Sequence, residues 1–306
     1  MTVACTPTRS VPARATQGGR EQSFITGETM LNFLRRTLVT ATIVLAGVGG
    51  AACAQTSAPA ASGPYEPRVG QPGKDVIWVP TPQALVDRML DLARLTPGDR
   101  LVDLGSGDGR TVITAAKRGA AAHGIEFNPD MVALARRQAQ AEGVSERATF
   151  EQGDIFRVDF SDATVVTLFL LPHLNLKLRP ILLDMAPGTR IVSNTYDMGE
   201  WEPDERVELH EDCTSFCRAM KWIVPAKVAG TWMLDGRKLE LTQSFQRIDG
   251  TLRDDAAMRP IREARLEGAR IRFVVGDDRY VGQVDGDRMH GTVNGSRPWQ
   301  AVRSGA

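Results

Sequence analysis

Apolar and polar positions along this chain follow two different rhythms. Between residues 76 and 225, short apolar runs alternate with stretches whose apolar residues recur three and four apart. Thr81-Pro82 offers a cap residue and then proline at a first helical position, and Leu85, Val86, Met89, Leu90 and Ala93 follow at helical spacing. Residues 101–104 read as a short apolar strand, 111–118 as a helix and 121–125 as a second strand. Asn128-Pro129 starts another helix, with Met131, Leu134 and Ala135 on one face. Residues 148–151 make a third strand, 164–171 a fourth that suits burial on both faces, and 189–194 a fifth after a Pro187-Gly188 turn. Strands and helices alternating at this length predict an α/β fold: a parallel, doubly wound, Rossmann-like sheet over residues 76–226.

The rhythm changes after Pro225. Runs at 230–234, 238–242, 244–248, 271–275, 280–284 and 289–293 alternate with a period of two. Turn dipeptides punctuate them: Asp-Gly at 235–236, 249–250 and 285–286, and Asn294-Gly295. Roughly six to eight antiparallel strands are expected in residues 227–306, forming a small all-β domain, either a barrel or a curled meander. Its Gly-x-Trp opening at Gly230 resembles that of lipocalin-like barrels.

The N-terminal quarter has neither rhythm. Residues 1–29 are polar and featureless, and read as a non-native or disordered extension. Residues 30–54 run from Met30 through Arg35-Arg36 and an apolar stretch to small residues ending at Ala54, the layout of a signal peptide. Cleavage after Ala54 is expected. The alternatives are a lipoprotein-type end at Cys53 or an uncleaved anchor that associates with the membrane. The expected location is the periplasm or cell envelope, with the cytoplasmic side of the membrane as the alternative if the anchor stays. Residues 55–75, rich in Ala, Pro and Gly, read as a linker, with order beginning near Val76.

Composition changes this picture little. Apolar residues make up 42% of the 306, enough for a packed core. Lys+Arg and Asp+Glu both number 37, so the formal net charge is zero and bulk electrostatics makes no case for a nucleic-acid partner. The four cysteines show no CxxC pair, and no His/Cys cluster has zinc spacing, so no metal site is expected. Cys213 and Cys217 would share a face if helical and read as ordinary half-buried thiols, with a disulfide as the alternative in an exported domain.

The chemistry gathers at strand ends. Asp103-Leu104-Gly105-Ser106-Gly107-Asp108-Gly109-Arg110 joins the first strand to a helix. Glycines there let the backbone turn sharply and a ligand approach closely. The spacing is Gly-x-Gly-x-Gly, not the dinucleotide Gly-x-Gly-x-x-Gly, and the flanking Asp103 and Asp108 suit a cationic ligand better than a pyrophosphate. A sulfonium carrying an amino acid group is such a ligand. Glu126 ends the second strand, where its oxygens can accept both ribose hydroxyls, and Asp154 follows the third, placed to accept from an adenine amino group with Ile155 against the ring.

These three segments resemble the motifs of class I (seven-β-strand) S-adenosylmethionine-dependent methyltransferases. Val79-Pro80-Thr81-Pro82, the stretch Asp154-Ile155-Phe156-Arg157-Val158-Asp159-Phe160-Ser161 and Trp201-Glu202-Pro203-Asp204 are similar to one subgroup, the small protein-lysine methyltransferases of the ATP synthase c-subunit and the adenine nucleotide translocator. The resemblance implies S-adenosylmethionine as cofactor, held by Thr81, Asp103, Gly105, Ser106, Gly107, Glu126, Asp154 and Ile155, and a protein lysine as methyl acceptor. On the acceptor side, His173 is a candidate base, Asn175 a positioning group, and Phe169, Tyr196 and Trp201 candidates for an aromatic slot that keeps a lysine amine neutral. The leader and the β-domain depart from the animal proteins. They keep open a small-molecule or lipid acceptor in the envelope, or a non-catalytic binder of S-adenosylmethionine.

Overall fold

The structure, a computed structural model, describes residues 63, 65–254 and 257–305. The extension at 1–29 and the leader at 30–54 lie outside the described residues.

The first half builds one sheet. Its strands are β1 (Arg100–Leu104), β2 (Ala121–Glu126), β3 (Ala148–Gln152), β4 (Val165–Leu168), β5 (Arg190–Asn194), β6 (Glu205–Glu208) and β7 (Arg218–Ile223). The helices are α1 (Gln83–Leu92), α2 (Arg110–Lys117), α3 (Pro129–Ala141) and α4 (Pro172–Leu183). The strand order is β3-β2-β1-β4-β5-β7-β6. Strands β1 to β5 pair in parallel, whereas β7 runs antiparallel to both β5 and β6, so the sheet is mixed rather than wholly parallel. The order reverses at β1, and ligands of open α/β sheets bind at such a reversal, outside the carboxyl ends of the strands.

Alternation along each strand assigns the two faces. Leu101, Val165, Val192 and Ala219 join Leu85, Val86 and Leu90 of α1, Val112 of α2 and Val132 and Ala135 of α3 in one buried cluster. Val102, Val166, Ile191 and Met220 point the other way, into a cluster with Leu174, Leu178 and Leu182 of α4 and with Trp201 and Trp222. Strand β4 is buried at all four positions, as its apolar run implies, but ends at Leu168. Residues 169–171 leave the sheet and border a cavity.

Two local expectations need correction. Thr81 does not cap α1: the helix starts at Gln83 with Pro82 at the cap position, and the Thr81 hydroxyl instead accepts from Asn194 Nδ2 at 3.2 Å. The stretch read as a linker is folded from Gly70 onward: Gly70 N–H donates to Trp78 O and Trp78 N–H to Gln71 O, closing a small hairpin whose residues 71–78 border the cavity.

The second half closes a barrel in the order β10-β11-β12-β13-β14-β15-β8-β9. Its strands are β8 (Gly230–Leu234), β9 (Arg237–Ser244), β10 (Arg247–Arg253), β11 (Met258–Glu267), β12 (Arg270–Val275), β13 (Asp278–Asp285), β14 (Arg288–Val293) and β15 (Arg297–Arg303). The expected turn at Asp249-Gly250 lies inside β10. Gly250 is needed there because a Cβ would sit 2.1 Å from the Glu240 carbonyl of the neighbouring strand, and the chain turns instead at Phe245, with φ +55°. The barrel interior is filled by side chains, with Phe273 stacked on Tyr280 at 4.6 Å and both edge-on to Trp299.

The barrel docks on the segment after β5. Trp201 stacks on Phe245 with ring centroids 6.0 Å apart, Gln246 Nε2 donates to Glu202 O at 2.7 Å, and Arg265 pairs with Asp204 at 2.6 Å.

Candidate active site

One cavity of about 220 Å³ lies at the carboxyl edge of β1, β2, β3 and β4. It is bordered by Thr81, Asp103, Gly105, Ser106, Gly107, Glu126, Asp154 and Ile155, so the structure brings every cofactor residue read from the sequence into one place.

The glycine loop is shaped for close approach. Gly105, Gly107 and Gly109 all have positive φ, between +53° and +84°. A Cβ on Gly107 would lie 2.7 Å from Trp78 Nε1, and one on Gly109 would lie 2.8 Å from both Ala135 and Phe150. A side chain at Gly109 would thus force α3 and β3 away from the loop.

The carboxylates are held from behind. Thr167 donates to Asp103 Oδ1 at 2.6 Å. The Gly107 and Asn128 amides donate to the two oxygens of Glu126, each at 2.9 Å. Asp154 receives Phe156 N–H at 3.0 Å and Lys74 Nζ at 2.8 Å. Each carboxylate oxygen keeps a second acceptor site for a ligand. Asp108 belongs to the protein's own frame: Arg110 forks onto it at 2.6–3.2 Å and also donates to Thr81 O, tying the loop to the start of α1.

Asp103 shows what this arrangement lacks. Burial pushes its carboxyl from 3.8 up to about 7, with the negative charges of Glu126 and Asp108 adding to the rise against the hydrogen bonds from Thr167 and Thr111. A cation placed beside it would reverse that penalty. Three carboxylates without a phosphate-binding cluster fit a positively charged amino acid and a ribose far better than a dinucleotide. S-adenosylmethionine is such a ligand, and it fits these residues. At the other end, the hydrogen bond from Lys74 holds the Asp154 carboxyl below its ordinary value. Lys74 also sits 4.8 Å over the Phe127 ring, so the hairpin at residues 70–78 is fastened to the rim beyond β2 and β3.

The acceptor candidates divide. Phe169 and Tyr196 border the cavity, with ring centroids 6.2 Å apart. His173 is exposed on the first turn of α4 and does not border the cavity. Asn175 is fully buried and donates to Tyr196 O and Asp197 O, both at 3.1 Å, so it braces the Tyr196 loop from below. Trp201 is fully buried between Trp222 and Phe245, and it is a core residue rather than a wall of the slot. The third wall is Phe216, which sequence reading missed. It stands edge-on to Phe169 at 5.1 Å and 6.5 Å from Tyr196. The loop that carries it is not helical, and Cys213 and Cys217 form a disulfide there rather than two free thiols.

Comparison with known proteins agrees with this geometry. The pattern of the ANTKMT methyltransferase domain matches residues 103–205. A protein-lysine N-methyltransferase of Saccharolobus islandicus is 42% identical over 139 residues, which cover 44% of this chain and 86% of that protein. The human lysine N-methyltransferase of the ATP synthase c-subunit is 36% identical over 128 residues, 42% of this chain and 54% of its own length. A solved structure described as an RNA methyltransferase from Salinibacter ruber with S-adenosyl-L-homocysteine is 49% identical. It covers 49% of this chain and 96% of its own, with a TM-score of 0.46. These alignments cover less than half of this chain, and the chain spans only about half the length of the human relative. With the archaeal relative covered over most of its length and the acid-lined cavity in place, the chain belongs to the ANTKMT family of S-adenosylmethionine-dependent methyltransferases.

Proposed function

We propose that this protein transfers a methyl group from S-adenosylmethionine to the Nζ atom of a lysine on a protein of the cell envelope. The observation that carries the reading is that one cavity joins the cofactor acids Asp103, Glu126 and Asp154 to the aromatic side chains Phe169, Tyr196 and Phe216. The acids lie at or just past the ends of β1, β2 and β3, and the aromatics follow β4 and β5 and precede β7, so the two sets flank the reversal point of the sheet.

When bound, S-adenosylmethionine supplies an electrophilic methyl, the new C–N bond forming as the C–S bond breaks and its electron pair returns to sulfur. The chain's own residues do the rest. Asp103 would hold the amino acid portion of the cofactor with a buried negative charge, Glu126 would offer its two oxygens to the ribose, and Asp154 would offer an acceptor to the base. The three aromatics exclude water from an incoming lysine. Desolvation disfavours its ammonium form and leaves the amine lone pair free to attack. Holding amine and methyl in line converts a bimolecular encounter into an oriented one. No strong base is needed, because the product ammonium can release its proton to solvent.

The envelope setting is supported by the signal-peptide-like layout of the sequence at residues 30–54 and by the Cys213–Cys217 disulfide, a bond that persists in oxidising compartments. The full chain, incubated with methyl-labelled S-adenosylmethionine and an envelope lysate, should label a protein band at lysine, located by mass spectrometry. Label found only in an organic extract or only in RNA would refute the reading.

A further inference from the structure

We infer that Phe216 is a specificity-determining residue for the amine acceptor, held in the slot by the Cys213–Cys217 disulfide; this rests on the reading of the cavity as a site for amine methylation. The loop from Leu209 to Cys217 joins β6 to β7, and its neck is closed by Leu209 N–H donating to Cys217 O at 2.9 Å. The disulfide adds a second closure across four residues. Within the loop, Asp212 just before the bridge and Phe216 inside it both take φ +57°, a left-handed conformation that a non-glycine residue holds only when its surroundings impose it.

The strain has a visible destination. Phe216 is the only phenylalanine, tyrosine or tryptophan of the loop, and its ring turns inward to border the cavity rather than lying on the surface. It meets Phe169 edge-on at 5.1 Å, while Phe169 and Tyr196 lie closer to parallel, at 21°. The three rings come from three separate connections, after β4, after β5 and before β7. The first two are fixed by the sheet and by the Asn175 and Ser193 hydrogen bonds to Tyr196 O. The third hangs on the clasped loop. The bridge therefore sets the width of the slot at its most adjustable wall, and with it how bulky an amine the slot admits.

The test uses the full chain, its Phe216→Ala and Phe216→Tyr variants, and the Cys213→Ser/Cys217→Ser double variant. Binding of n-butylamine, which mimics the lysine head, is measured by NMR in the presence of S-adenosylhomocysteine. Cofactor affinity is measured separately by calorimetry. Phe216→Ala should weaken amine binding roughly tenfold, the effect of losing one aromatic wall, with Phe216→Tyr close to wild type. Cofactor affinity should stay within about twofold in every variant. The double variant should weaken amine binding in the same direction, and adding Phe216→Ala to it should cost little more, since both remove the same wall. Equal amine binding by wild type and Phe216→Ala, or none by wild type, overturns the inference. Failure of protein methylation with amine binding intact and Phe216-dependent would count against the acceptor reading alone.

Discussion

Replacing Asp103 by Asn should remove a pH dependence that this one carboxyl writes into the stability of the free protein. In the folded chain its proton is held up to about 7, against an ordinary value of 3.8. The native state therefore binds that proton more tightly than the unfolded chain does. The native advantage is present at low pH, declines as pH rises from about 3.8 to about 7, and is gone above that window. The difference of about 3 units corresponds to about 4 kcal/mol. Asparagine has nearly the same shape, cannot ionise, and can still accept the Thr167 hydroxyl through its amide oxygen. Urea unfolding at about pH 5 and about pH 8.5 is the assay. The variant should be the more stable by about 1.6 kcal/mol already at the lower pH, and by about 4 kcal/mol at the higher. The ligand side mirrors this. Wild-type affinity for S-adenosylmethionine should climb up to about tenfold per pH unit below 7 and then level off, while the variant binds weakly and without that slope. Parallel pH curves for wild type and variant would refute the claim that Asp103 is a buried, uncompensated charge awaiting a cation.

Glu126→Gln keeps one acceptor oxygen of the side chain and should weaken S-adenosylmethionine roughly tenfold to a hundredfold by calorimetry, and should cost about 1–2 kcal/mol in unfolding because its amide nitrogen faces a backbone N–H that the carboxylate accepts. Gly109→Ala places a methyl 2.8 Å from Ala135 and Phe150 at φ +84° and should cost about 2 kcal/mol or more in chemical unfolding. Trp201→Ala should cost about 3–5 kcal/mol, as for other large core truncations, while cofactor affinity, measured where the variant remains folded, stays at the wild-type value. A fall in affinity there without loss of stability would return Trp201 to the cavity wall.

The sequence carried the parallel half of the sheet well, because Leu101, Ile125, Val165 and Val192 belong to short strands with buried apolar residues, set between helical stretches. It carried the cofactor acids for a related reason: Asp103, Glu126 and Asp154 sit at strand ends, so locating the strands located them. Strands β6 and β11 escaped notice because their burial is partial. Glu205–Glu208 has no fully buried position, and Met258–Glu267 presents four arginine or glutamate side chains outward, which hides its few inward residues. Asp249-Gly250 looked like a turn because Asp-Gly usually is one. Only the approach of the neighbouring Glu240 backbone explains its glycine. His173 is a candidate only through its place after a strand and Trp201 only through its aromatic type and the stretch it opens, and the docking of the barrel onto Trp201 is a contact between segments far apart in sequence. Phe216 was out of reach for the same reason, since its inward turn depends on a pairing of Cys213 with Cys217 that spacing left open.

Barrel closure has a consequence for the order in which the molecule can be made. The ladder that shuts the barrel joins Leu234 to Ala301 and Trp232 to Arg303, its first strand to its last. Those pairings need residues 301–303, almost the last of the barrel to be synthesised, whereas the last strand of the sheet is complete at Ile223. A chain emerging from the ribosome can thus assemble its sheet first, and β8 waits with an open edge while the intervening strands arrive. The barrel is a late and non-local event, slow relative to the sheet's local βα units, and the interval before closure is when this protein is most exposed to mispairing.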